Sequence, residues 1–235
     1  MSTNDHPTQV FWQEESAPPR GVSGQNVRWV AGVTRREDNT GMDAAIGVRD
    51  HSGWAVVVAV GGDPTAPEIL LRERIQLVGD HLPRMAYHAA LERDLDDGAA
   101  LIAEVERVAE QGAVDALDSI TERLRGDGHQ VTGVAIAAGT SDVPTELEDI
   151  LRSHRMVHAA EGELYREVMS TAAEKAGLPV TRYANKHAIS EAAAALHVDS
   201  EALSQRLAAV GKPLGPPWQK DHREATAAAL LVLAE

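Results

Sequence analysis

Three apolar runs follow one another before the first helix-forming stretch, and that order restricts the fold more than any other feature of the chain. AAIGV and GWAVVVAVGG are rich in small and β-branched residues, and the polar turn Asp50–His51–Ser52 separates them. EILLRERIQLV (68–78) follows the loop GGDPTAP and alternates Leu71, Glu73, Ile75 and Leu77 with Arg72, Arg74 and Gln76. Strands joined in this way predict an antiparallel meander.

The period then changes. A helical region is predicted from 87 to about 126, with Leu101, Val105 and Val108 on one face and Ala116, Ile120 and Leu124 continuing it to terminal glycines. QVTGVAIAAGT (130–140) is apolar almost throughout and reads as a buried strand. The stretch from TELED to Gly177 reads as mostly helical, and LPVTRYA (178–184) as a short strand. AISEAAAALHV and SEALSQRLAAVG are helical, with Ser200 the expected N-cap of the second. A final helix, QKDHREATAAALLVLAE, follows the break KPLGPPW. A meander followed by alternating helices and strands predicts an α/β fold, a mixed sheet of three antiparallel and two further strands with helices on both faces.

Residues 1–42 carry SAPPRG and RREDNTG and predict a disordered polar arm ahead of a domain over 43–235. Phe11, Trp12 and Trp29 are the arm's candidates for packing against the domain or a partner. Aromatic residues are only 3% of the chain, so the core must be built from Val, Leu, Ile and Ala. The net charge of −14 weighs against a broad phosphate-tracking surface while leaving room for a local basic patch. With no cysteine, disulfides and thiolate metal sites are excluded, and a metal must be held by His, Asp or Glu. The first residues lack a secretory pattern and no apolar run is long enough for a membrane span, so a cytoplasmic location is expected.

Three local features carry a resemblance: the opening IGVRDHSGWAV, the helix end AEKAGLPVTRY followed by Lys186, and the C-terminal DHREATAAALLVL with its acid pair. Together with the element order they resemble the RNase H-like superfamily in its RuvC-type resolvase form, over roughly residues 44–235. The resemblance implies carboxylates on the first strand, the fourth strand and the last helix that hold two Mg²⁺ or Mn²⁺ ions and cleave nucleic acid phosphodiesters. It also implies a homodimer. Asp221 and Glu224 match the acid pair, with Glu standing where Asp is usual. On the first strand Arg49 holds the matching position and Asp50 follows it; on the fourth, Ala137 stands where Glu is expected and Asp142 is the next acid. The catalytic and metal-binding set implied is therefore Asp50, Asp221 and Glu224.

Other constellations remain open. His154, His158 and Glu161 fall on one helical stripe with Tyr165, a spacing that suits a divalent metal or simply a solvated helix face. Tyr87 and His88 stand beside a run of acids, read as a solvated face or a lining of the cleft near Asp50. Asp142 and Thr145 in the loop GTSDVPT suit a helix N-cap. The segment 211–224 carries Lys212, Trp218, Lys220 and Arg223; Lys212, Lys220 and Arg223 are candidate phosphate contacts, and Trp218 a candidate loop anchor. DHSGW lacks a nucleophile-elbow pattern and reads as a hairpin tip, and no phosphate-binding glycine loop is present. Three functions follow: a metal-dependent nuclease, a non-catalytic binding or assembly module on the same fold, and a His/Glu metal-dependent hydrolase.

Overall fold

The computed structural model describes residues 43–139 and 142–235; the predicted arm, with Phe11, Trp12 and Trp29, lies outside the described residues. β1 (Asp43–His51) and β2 (Trp54–Gly61) form the expected hairpin, and β3 (Glu68–Gln76) pairs antiparallel with β2. Gly53 closes the hairpin at φ 81°, a conformation that suits glycine. β4 (Gln130–Ala138) lies parallel to β1 on its other side, and β5 (Val180–Ala184) lies parallel to β4. The order β3-β2-β1-β4-β5 puts β1 at the centre of a mixed sheet.

Seven helices are described: α1 (Ala86–Ala90), α2 (Leu95–Gly126), α3 (Leu147–Leu151), α4 (His154–Lys175), α5 (Ala188–Ala195), α6 (Ser200–Val210) and α7 (Lys220–Leu233). Two stretches read as continuous helix are interrupted. The first breaks before α2, where the Asp94 side chain accepts a hydrogen bond from the Asp97 amide at 2.9 Å and caps a new helix. The second breaks at Arg152–Ser153, with Ser153 extended at φ −131° and ψ 113°. Neither Asp142 nor Thr145 caps α3, whose N-cap position is Glu146. The cap of α6 is Asp199, which accepts from the Ala202 amide at 2.9 Å and moves Ser200 inside the helix.

Side chains alternate along β1, and the two faces are buried by different helices. Ile46 and Val48 join a core with Leu117 and Ile120 of α2 and Tyr165 and Met169 of α4. Ala45 faces the other way, into a core with Leu203 and Leu207 of α6 and Ala225, Ala228 and Leu230 of α7. Gly47 lets the α7 backbone approach, since a Cβ there would lie 2.6 Å from the Ala229 amide nitrogen. Burial on both faces explains why β1, β2 and β4 read as nearly continuous apolar runs. Among the described residues no helix is long and apolar enough to cross a membrane.

Candidate functional site at the carboxyl edge of the sheet

The carboxyl ends of parallel strands are where ligands gather in open α/β sheets. Here β1 delivers Arg49, Asp50 and His51 to that edge, and the period of two divides them. Arg49 and His51 share the α7 face with Gly47. Asp50 falls with Ile46 and Val48 on the α4 face, where it is buried.

On the α7 side each acid of the expected pair meets a base from β1. Arg49 Nε donates to Glu224 Oε2 at 2.8 Å, and Lys220 Nζ lies 3.5 Å from Glu224 Oε1. His51 Nε2 lies 3.0 Å from Asp221 Oδ2. The His51 ring stacks on Trp54 at 3.9 Å with 7° between planes, and the Arg74 guanidinium sits 4.2 Å from the Trp54 ring centre. The turn residue His51 is thus held as part of a packed aromatic and cationic stack.

On the α4 side Asp50 lies between two arginines, 3.5 Å from Arg49 Nη1 and 3.4 Å from Arg166 Nε. Arg166 in turn donates from Nη1 to Glu163 Oε2 at 3.0 Å. The Glu163 carboxylate lies over Gly139, just past the end of β4. A carboxylate therefore does reach the end of the fourth strand, but α4 supplies it, while Ala137 of β4 is buried against α7. Asp142 is exposed in the following loop. Below Asp50, the Tyr183 hydroxyl donates to the Val48 carbonyl at 2.9 Å; burial, and then the charge of Asp50, push this phenol well above its usual range.

Of the basic candidates, Lys212 is exposed in the turn after α6, Lys220 is exposed on the first turn of α7, and Arg223 is half-buried. Trp218 donates from its indole nitrogen to the Leu207 carbonyl at 2.9 Å and so anchors the Pro-rich loop to α6. Arg166 and Tyr183 had no distinguishing signal in the sequence, because only the packing of α4 on β1 and the pairing of β5 beside β4 bring them to Asp50.

The histidine stripe resolves differently from its spacing. His154 and His158 are exposed on α4, whereas Glu161 and Tyr165 turn inward. Glu161 Oε1 accepts from the Ala86 amide at 2.8 Å and Oε2 from the Tyr87 amide at 3.1 Å, pinning the start of α1 to α4. The residue brought to His154 and His158 is His88 of α1. Among the described residues these three form a group whose ligand atoms lie within 4.8 Å of one another; Asp50, Asp221 and Glu224 form no such group.

A central strand flanked by an antiparallel pair on one side and parallel strands on the other, with α7 laid over it, is the arrangement that the sequence resemblance implies. The fold is RNase H-like. No protein-family model and no curated protein matches the chain. Among solved structures it is similar to RuvC of Thermus thermophilus in complex with Holliday junction substrate, at 16% identity and a TM-score of 0.44 over 80% of this chain and 90% of that one. A second Thermus thermophilus RuvC structure is similar at 16% identity and a TM-score of 0.43, over 80% of this chain and 91% of that one.

Proposed function

We propose that this chain is an RNase H-like module that binds its partner at the carboxyl edge of the sheet without hydrolysing phosphodiesters. The observation that carries this reading is the hydrogen bond from Arg49 to Glu224, 2.8 Å long, at the strand position where the resemblance implies an acid. A two-metal hydrolase needs carboxylates whose charge is met by the ions. Here the charge of Glu224 is met by Arg49 and Lys220 and that of Asp50 by Arg49 and Arg166, while the His51 ring lies 3.0 Å from Asp221. Such a donor set fits a pair of Mg²⁺ or Mn²⁺ ions poorly, because Arg49 and Arg166 already bring positive charge to Glu224 and Asp50.

Nucleic acid is the partner class in this reading, met by the exposed Lys212 and Lys220 with Arg223 beside them. Lysines so placed contact phosphates without reading sequence. The test combines metal calorimetry, strand binding and cleavage. The wild type should show no saturable Mg²⁺ or Mn²⁺ uptake at the acids and no metal-dependent cleavage of branched DNA, single-stranded DNA or RNA. Anisotropy should register strand binding that weakens in Lys212→Ala/Lys220→Ala and with added salt. Cleavage by the wild type that disappears in Asp221→Asn would overturn this reading in favour of the nuclease built on Asp50, Asp221 and Glu224.

A further inference from the structure

We propose that His88, His154 and His158 form a binding site for a divalent transition ion of the zinc class, with Glu161 as the residue that orients His88. This inference is independent of the function proposed for the carboxyl edge.

The three imidazoles already stand ring to ring. Their centroids are 4.4 Å apart for His154 and His158, 4.5 Å for His88 and His158, and 5.8 Å for His88 and His154. His154 and His158 are one turn apart on α4, a spacing that lets two imidazoles of a helix share one ion. His88 arrives from a separate helix, so the site needs the tertiary fold.

The second observation is the state of His88. Its Nδ1 lies 3.1 Å from Glu161 Oε2, and the Glu161 carboxylate is held in turn by the Ala86 and Tyr87 amides. A carboxylate accepts, so the His88 Nδ1–H donates, and in the neutral imidazole the lone pair is then on Nε2. That Nε2 is buried and has no hydrogen-bond partner among the described residues. A buried polar atom without a partner costs free energy, and a metal ion is the ligand that would satisfy it. Metal-bound histidines commonly donate their other ring nitrogen to a carboxylate in this way.

The donor chemistry selects the ion. Neutral imidazoles suit Zn²⁺, Co²⁺, Ni²⁺ and Cu²⁺, whereas Mg²⁺ prefers oxygen ligands. Three protein nitrogens leave one position of a tetrahedron for a water or an anion. His154 and His158 are exposed, so the group is open to solvent. Behind the site the apolar group of Ile150, Met156, Val157 and Ala160, with Tyr87 packed against it, supports both helices.

Titration of the full chain with Co²⁺, read by visible absorption, tests this directly. One equivalent should bind with the intense bands of a four- or five-coordinate ion, Zn²⁺ should displace it, and millimolar Mg²⁺ should not. His154→Ala and His158→Ala alter exposed residues, so circular dichroism should match the wild type while affinity falls more than the roughly 10–100-fold typical of losing an outer partner. Glu161→Gln should cost about 10–100-fold. Binding by the wild type no tighter than by His154→Ala/His158→Ala would overturn the site. So would half an equivalent per chain, which would place the ion between two copies.

Discussion

Arg49 and Glu224 are 175 residues apart in sequence, yet Arg49 Nε and Glu224 Oε2 are separated by 2.8 Å. The pair ties the end of the central strand to the last helix, and both side chains are largely withdrawn from solvent, at 16% and 9% exposure. Removing one member of such a pair leaves the other charge poorly solvated. Arg49→Met should therefore lower stability by about 3 kcal/mol, since among the described residues only Lys220 still pairs with Glu224. Arg49→Met/Glu224→Met should recover part of that loss, since it removes the stranded Glu224 charge but leaves buried Asp50 with Arg166. Urea unfolding of the two variants decides the matter; a single variant as stable as the wild type would show that the pair contributes nothing.

Gly47 makes the same strand–helix contact possible at the backbone. An added methyl would meet the Ala225 carbonyl and the Ala229 amide, and neither can move without displacing α7. Gly47→Ala should cost about 3 kcal/mol, the upper end for overpacking a close contact. Gly126→Ala is the control, because nothing lies within 4 Å of a Cβ there. At the end of α2 it should gain about 0.5 kcal/mol from the reduced freedom of the unfolded chain. Thermal unfolding that ranks the two variants the other way would refute the packing argument.

The strands and the antiparallel meander were legible because β1, β2 and β4 are distinct apolar runs bounded by turn residues and β3 alternates, whereas apolar patterning alone did not fix the order of the sheet. The identity of Arg49 was legible too, but its partner was not: the local pattern could not say that a guanidinium on β1 would meet Glu224 rather than solvent. His88 shows the limit more sharply. It sits in an acidic stretch that reads as solvated, and only the docking of α1 onto α4 through Glu161 turns it toward His154 and His158. Helix breaks at Asp94 and Ser153 were missed because the apolar spacing continues across them while the backbone does not.

Arg72 alternates with apolar residues in β3, the pattern of an outward-facing base, yet it is buried on the α7 face. Its Nη1 donates to the carbonyls of Gly215 at 2.9 Å and Pro217 at 2.6 Å, and its Nη2 to that of Leu214 at 2.8 Å. The guanidinium thus gathers the Pro-rich loop that precedes α7, and a lysine cannot reproduce the planar fork. Arg72→Lys should lose about 2 kcal/mol, in line with carbonyls left unpaired in a half-buried loop. Hydrogen exchange should speed up first in residues 211–219. Unchanged exchange there would mean the loop is held by Trp218 alone.

His222 links that loop to pH. Burial, and then the nearby charge of Arg72, hold its imidazole below the usual value of 6.5, against a smaller opposing pull from Asp221. Its Nδ1 accepts the Gln219 amide hydrogen at 3.3 Å, which requires the unprotonated nitrogen. The folded state therefore binds the proton more weakly than the unfolded chain does, and stability rises with pH through this window. The contribution is complete above the unfolded value of 6.5, declines as pH falls below it, and levels off beneath the folded value. His222→Gln removes this titration, so the stability difference between variant and wild type should shift in the variant's favour on going from about pH 7.5 to about pH 5. Urea midpoints measured across that range provide the check, and a difference that stays constant with pH would show that His222 is not the group responsible.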